Sequence, residues 1–211
     1  SMDAVAIGLP EAPKTWHVLE FKTHAAKSFT DLVAKKVRES KPQHFAQMQV
    51  YMHLAGLTRA MYLAVNKDDD DMYVERVEAD PAFAEKLLEK ARRVIFAAVP
   101  GARISEDPTW YQCRWCDHAG VCRGEAEPAV NCRTCLHATP VEGGWTCEQH
   151  QKVLTEADQR AGCPSHLFVP ALVPAEQVDA GPDWVEYLFP GGLRWRDRGV
   201  EKAYVTAETS T

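Results

Sequence analysis

The sequence predicts an α/β fold: a mixed sheet flanked by helices, followed by a small cysteine-rich C-terminal module. Three observations predict it. Residues 16–23 and 60–65 are apolar runs of strand length with a helical stretch between them. Four of the seven cysteines crowd into a segment beyond residue 130 that is too short for a large core of its own. The 211 residues are 45% apolar, which supports a packed core for one domain, or for one domain and a small module.

The elements follow in order. Asp3-Ala4-Val5-Ala6-Ile7 reads as a short strand, and Gly8-Leu9-Pro10-Glu11-Ala12-Pro13 as a turn. The strand 16–23 then returns, making a hairpin. Residues 42–54 form a helix ended by Gly56. Next come a strand over 60–65, a turn at Asp68 to Asp71, and a strand over 73–77. An amphipathic helix runs from Pro81 to Phe96, with Leu87, Leu88, Ala91, Val94 and Ile95 as its apolar stripe. Pro100-Gly101 stops it. A Glu- and Pro-containing linker, 124–130, divides a domain over 1–123 from a module over 124–211. Residues 184–189, a turn at Pro190-Gly191-Gly192, and 193–195 read as a hairpin. Residues 206–211 are expected to fray.

Side chains alternate along a strand, so Glu20 and Lys22 emerge side by side. A carboxylate beside an ammonium at the end of an apolar strand suits metal-assisted phosphodiester hydrolysis. The hairpin can bring Asp3 near Glu20. Those two carboxylates and the carbonyl of Phe21 supply oxygen ligands suited to Mg²⁺. Gln47 and Tyr51 are four apart and share one helix face. Taken singly, each residue has a plainer reading. Glu20 and Lys22 could be a solvated ion pair, Asp3 a surface residue, and Gln47 and Tyr51 half-buried helix positions. The joint pattern favours the site.

The net charge of −6 argues against a generally adhesive nucleic-acid binder. It does not exclude a nuclease, because a metal-binding cleft is acidic and local basic patches can steer DNA. Lys22, Lys27, Lys35, Lys36, Arg38 and Lys41 are candidates for phosphate contacts; for most of them a solvated helix face is the plainer reading. No run is long enough for a membrane helix, and no signal peptide is visible.

Cys-x-x-Cys repeats without a secretory signal point to metal in a reducing compartment, so a cytoplasmic location is expected. Cys132, Cys135, Cys147 and Cys163 supply four thiolates, which suits a closed structural Zn²⁺ site. His137, His150 and His166 are competitors for the last places, and metal-free reduced thiols are the alternative. Cys113, Cys116 and Cys122 form a triplet that cannot close a four-thiolate site alone. His118 could complete it for zinc, or the three could be free thiols.

Asp3, then Glu20-Phe21-Lys22, then Gln47-x-x-x-Tyr51 resembles the PD-(D/E)XK nuclease superfamily, and within it the RecB-like and phage exonuclease branch. The resemblance covers roughly residues 3–80 and extends in part to Cys122. It implies a restriction-endonuclease-like fold and a Mg²⁺- or Mn²⁺-dependent nuclease acting on DNA, in a bacterial or phage-infected cell. It implies Asp3 and Glu20 as metal ligands and Lys22 as the catalytic lysine. Gln47 and Tyr51 would position the metal shell or the DNA. The triplet resembles that of iron–sulfur nucleases of this group, which implies a [4Fe–4S] cluster at Cys113, Cys116 and Cys122; a second Zn²⁺ stays open. The family core has a helix and a strand before the Asp-bearing strand. Here only Ser1 and Met2 precede Asp3, and they read as an appended scar, so the core is expected to be N-terminally incomplete. The alternative is a non-catalytic, zinc-stapled DNA- or protein-binding module with a degenerate nuclease core.

Overall fold

The computed structural model describes residues 2–199. Residues 206–211, expected to fray, lie outside that range. The chain divides into two compact units, Ser1–Arg93 and Val94–Thr211.

The first unit is built on a four-stranded sheet in the order β1 (Ala4–Ala6), β2 (His17–His24), β3 (Arg59–Asn66) and β4 (Met72–Glu78). β2 and β3 are parallel; the other two pairings are antiparallel. A parallel pair needs a crossover. Here it is made by two helices, α1 (Ala26–Ser40) and α2 (Pro42–Ala55). The hairpin, the strands and α2 stand where the sequence puts them. Gly56 ends α2 in the left-handed conformation, with φ 64°. That conformation is open to glycine because it carries no Cβ.

α1 is an element the sequence reading did not find. Its charged surface hides an apolar stripe, Phe29, Leu32 and Val37, all buried. The helix is broken at Lys36, where φ is +64°. The freed N–H of Val37 donates to Glu75 Oε2 at 2.8 Å. Tyr73 donates its hydroxyl proton to the same oxygen at 2.6 Å. α2 contributes Phe45, Met48, Gln49 and Met52 to the interior, the i, i+3, i+4, i+7 spacing of one helix face. The Gln49 amide is used at both ends: it donates to Glu78 O at 2.9 Å and accepts from Asp80 N–H at 2.6 Å.

The core lies on one side of the sheet. β3 alternates strictly, burying Ala60, Tyr62, Ala64 and Asn66. Val18, Phe29, Leu32, Val37, Phe45, Met48, Met52 and Val77 close around them. This placement corrects the reading of α3 (Pro81–Ile95). Only Ala84 is buried there; Leu87 and Leu88 are half-buried, and Ala91, Val94 and Ile95 are exposed. α1 and α2 already fill the helical side of the sheet. α3 reaches the core through its first turn, where Phe83 packs against Phe45 with ring centroids 5.5 Å apart.

The second unit has two antiparallel three-stranded sheets. It also carries two short helices, α4 (Tyr111–Arg114) and α5 (Ala119–Arg123). One sheet joins β5 (Ala138–Val141), β6 (Gly144–Cys147) and β7 (Lys152–Leu154), followed by helix α6 (Glu156–Ala161). The other joins β8 (Glu176–Gly181), β9 (Trp184–Leu188) and β10 (Arg194–Asp197) around Leu167, Phe168, Val173, Val185 and Tyr187. β9 and β10 are the expected tail hairpin, turning at Gly191 and Gly192. Among the described residues no helix is long and apolar enough to cross a membrane.

Candidate active site

β1 and β2 pair as Ala4↔Leu19, Val5↔Val18 and Ala6↔His17. Carried one step further, this register sets Asp3 across from Glu20. The Phe21 N–H donates to Asp3 Oδ2 at 2.9 Å, and Lys22 Nζ lies 3.8 Å from the same oxygen. Lys22 also donates to Glu20 Oε1 and, at 3.2 Å, to the Phe21 carbonyl. One ammonium is therefore ringed by oxygens from Asp3, Glu20 and Phe21, the three groups expected to hold a metal.

The Glu20 side chain is 0% exposed, against 26% for Lys22 and 35% for Asp3. Glu20 Oε2 is buried and has no hydrogen-bond partner among the described residues. Leaving a carboxylate oxygen bare in the interior is unfavourable, and a cation at that oxygen offsets the cost. Two carboxylates, a carbonyl and a bare buried oxygen fit a hard divalent ion such as Mg²⁺ or Mn²⁺.

β2 continues with the same parity. His24 follows Lys22 on the same face, and the parallel register sets Tyr62 beside Glu20. The Tyr62 hydroxyl lies 2.9 Å from His24 Nε2 and 2.9 Å from His44 Nδ1. A hydroxyl has one proton, so it donates to one ring and accepts from the other. Ser28 Oγ sits 3.3 Å from His24 Nδ1. Burial holds both histidines below the usual range; the ammonium charges of Lys41 and Lys22 push His24 the same way, and those of Lys22 and Lys41, with His24, push His44. Burial, then the Glu20 charge, drives the Tyr62 hydroxyl well up. At neutral pH the two imidazoles are uncharged and the hydroxyl keeps its proton, so all three stand as dipoles near the carboxylates.

The sequence reading missed this trio. A signal existed: His44, Gln47 and Tyr51 fall at i, i+3 and i+7, one stripe of α2. Gln47 donates to the Tyr51 hydroxyl at 2.9 Å, and Tyr51 packs against the core. Among the described residues neither is hydrogen-bonded to Asp3, Glu20 or Lys22. Of the basic candidates, Lys35 pairs with Asp31 at 2.7 Å, and Arg38 lies 3.5 Å from Asp80 and over the Phe45 ring. Lys41 donates to Ser40 Oγ at 2.8 Å.

A pH effect on stability follows. Both histidines have folded pKa values lowered below the unfolded value of about 6.5. The unfolded chain takes up protons first as pH falls, so stability drops below that pH and is regained above it. The urea midpoint is expected to fall between pH 7.5 and 5.5, and to fall less in a His24→Gln, His44→Gln double variant. An equal drop in both proteins would discard this source.

The cysteines fall into two settings. Cys113 is half-buried, and Cys116 and Cys122 are exposed, beside or within α4 and α5. Cys132, Cys135 and Cys147 are buried, and with Cys163 they line one cavity. Among the described residues no group of three or more His, Cys, Asp or Glu is arranged so that it could hold a metal ion as it stands.

A family model described as the PD-(D/E)XK nuclease superfamily matches residues 2–123, more than half of the chain. No curated protein and no solved structure matches it. Asp3, Glu20 and Lys22, which converge on one point of the β1–β2 hairpin, lie within the matched range, as do Gln47 and Tyr51. The chain belongs to the PD-(D/E)XK nuclease superfamily.

Proposed function

We propose that the chain is a Mg²⁺- or Mn²⁺-dependent DNA nuclease, acting as an exonuclease in recombination, repair or phage replication. The observation that carries this reading is the ring of Asp3, Glu20 and Phe21 oxygens around the Lys22 ammonium. Asp3, Glu20 and the Phe21 carbonyl would hold the metal. When bound, it supplies an activated water and neutralises charge developing on the phosphate. Lys22 orients that water and donates toward the phosphoryl oxygens. Tyr62, His24 and His44 form a hydrogen-bonded trio, with Tyr62 set beside Glu20 by the parallel register, and supply oriented dipoles near the carboxylate. Gln47 and Tyr51 position the metal shell or the DNA.

The same reading places the protein in the cytoplasm. It gives the Cys113, Cys116 and Cys122 triplet a [4Fe–4S] cluster or a Zn²⁺.

End-labelled DNA tests the function. Cleavage is expected with Mg²⁺ or Mn²⁺, to stop with a chelator, and to release label from an end rather than from internal cuts. Lys22→Ala should lose turnover while keeping the fold. A chain that binds DNA but never cuts it, with either metal, would replace this reading with a decayed core serving only binding.

A further inference from the structure

We propose that the second unit binds one structural Zn²⁺ in the thiol-lined cavity, held by Cys132, Cys135, Cys147 and Cys163, with His150 as the hydrogen-bond donor to the Cys163 sulfur. This inference is independent of the nuclease reading.

Three separate stretches of backbone deliver the thiols. Cys132 opens a 3-10 turn, Cys132–Thr134, whose start is fixed by a capping box between Asn131 and Thr134. Cys135 closes the turn, its N–H donating to Cys132 O at 3.2 Å. Cys147 ends β6, paired with Ala138. Cys163 follows α6 after Gly162, whose φ of +67° suits glycine. The four line a cavity of about 300 Å³, together with His137 and His150.

Three of the four sulfurs are buried and that of Cys163 is half-buried. Cys132 Sγ lies 3.3 Å from Asp158 O, and Asp158 in turn accepts from Lys152 Nζ at 2.8 Å; both residues line the same cavity. On binding, thiol protons leave to solvent as zinc–sulfur bonds form, with no change of oxidation state.

Spacing fits as well. Cys163 Sγ lies 3.6 Å from His150 Nε2. Zinc bonds of about 2.3 Å to sulfur and about 2.0–2.1 Å to nitrogen span roughly that edge in a tetrahedron. His150 is therefore near enough to compete as a ligand. The assignment to sulfur rests on four thiols already sharing one cavity, which leaves the imidazole as a neighbour that steadies Cys163. The local apolar cluster is small, comprising Cys132, Cys147 and Leu154 with Ala138 and Trp145 packed against it. A metal bond there contributes to folding that apolar burial alone supplies poorly.

The test uses the full chain with Cys113, Cys116 and Cys122 changed to Ser, refolded with Zn²⁺ under reducing conditions and desalted. Elemental analysis should find about one zinc per chain. Adding Cys147→Ser or Cys163→Ser should lose it, and adding His150→Ala should keep it. Because a Ser variant can fail by misfolding, Co²⁺ replacement in the triplet-Ser parent is the second readout: a tetrahedral all-sulfur spectrum is expected, unchanged by His150→Ala. No zinc and no such Co²⁺ spectrum in the folded parent would overturn the site. Zinc that survives Cys163→Ser but is lost with His150→Ala would overturn the ligand set.

Discussion

Replacing Glu20 by Gln is expected to remove cleavage, by a factor on the order of a thousand or more, while the fold survives. The substitution keeps shape and volume in a fully buried place, and the amide oxygen can still accept from Lys22. What it removes is the charge that would hold a divalent ion, at the residue whose second oxygen is buried without a partner. Metal stabilisation of the transition state amounts to several kcal/mol, and each ~1.4 kcal/mol is a factor of ten in rate. Single-turnover cleavage of end-labelled DNA at saturating Mg²⁺ gives the loss, and circular dichroism gives the fold. Parental turnover in Glu20→Gln would remove the residue from the mechanism.

The second large effect is on stability. Tyr62 is 0% exposed in the middle of the sheet, packed in the core and bridging two histidines. Truncating a buried aromatic ring to Ala costs about 3–5 kcal/mol. Tyr62→Phe keeps the ring and removes only the hydroxyl between His24 and His44, which costs about 1–3 kcal/mol. The two variants separate packing from the hydrogen bonds. Hydrogen exchange of the β2 and β3 amides in increasing urea reads the first unit on its own. An Ala variant protected like the parent would mean that the ring is not part of the packed interior.

The hairpin and the Glu20–Lys22 pair were legible because both follow from local rules, turn residues and a period of two. Asp3 was legible once the hairpin was, since its place depends on pairing across one turn. Gln47 and Tyr51 were visible as a helix spacing, although nothing in that spacing says what they touch. His24, His44 and Tyr62 were not legible. They come from β2, α2 and β3, and meet through a parallel register set by packing rather than by any local signal. α1 was hidden because its charged residues outnumber Phe29, Leu32 and Val37. The α3 stripe misled for a related reason: an amphipathic pattern says that a face can be covered, not that the sheet has room for it. The cysteine spacing gave the grouping of four, while the closeness of His150 to Cys163 emerges only in three dimensions.

The alternation of β2 from Val18 onward has an evolutionary consequence. Val18 in the core and Glu20, Lys22 and His24 at the site occupy the same face of one strand. A single-residue insertion or deletion just before Val18 would turn all four over together and bring Leu19, Phe21 and Thr23 inward. The lineage therefore cannot shed the chemistry by indel at this strand without also shedding the packing. Within β2, the site can be lost only by substitution, one side chain at a time, on a strand whose length is held constant by its own interior.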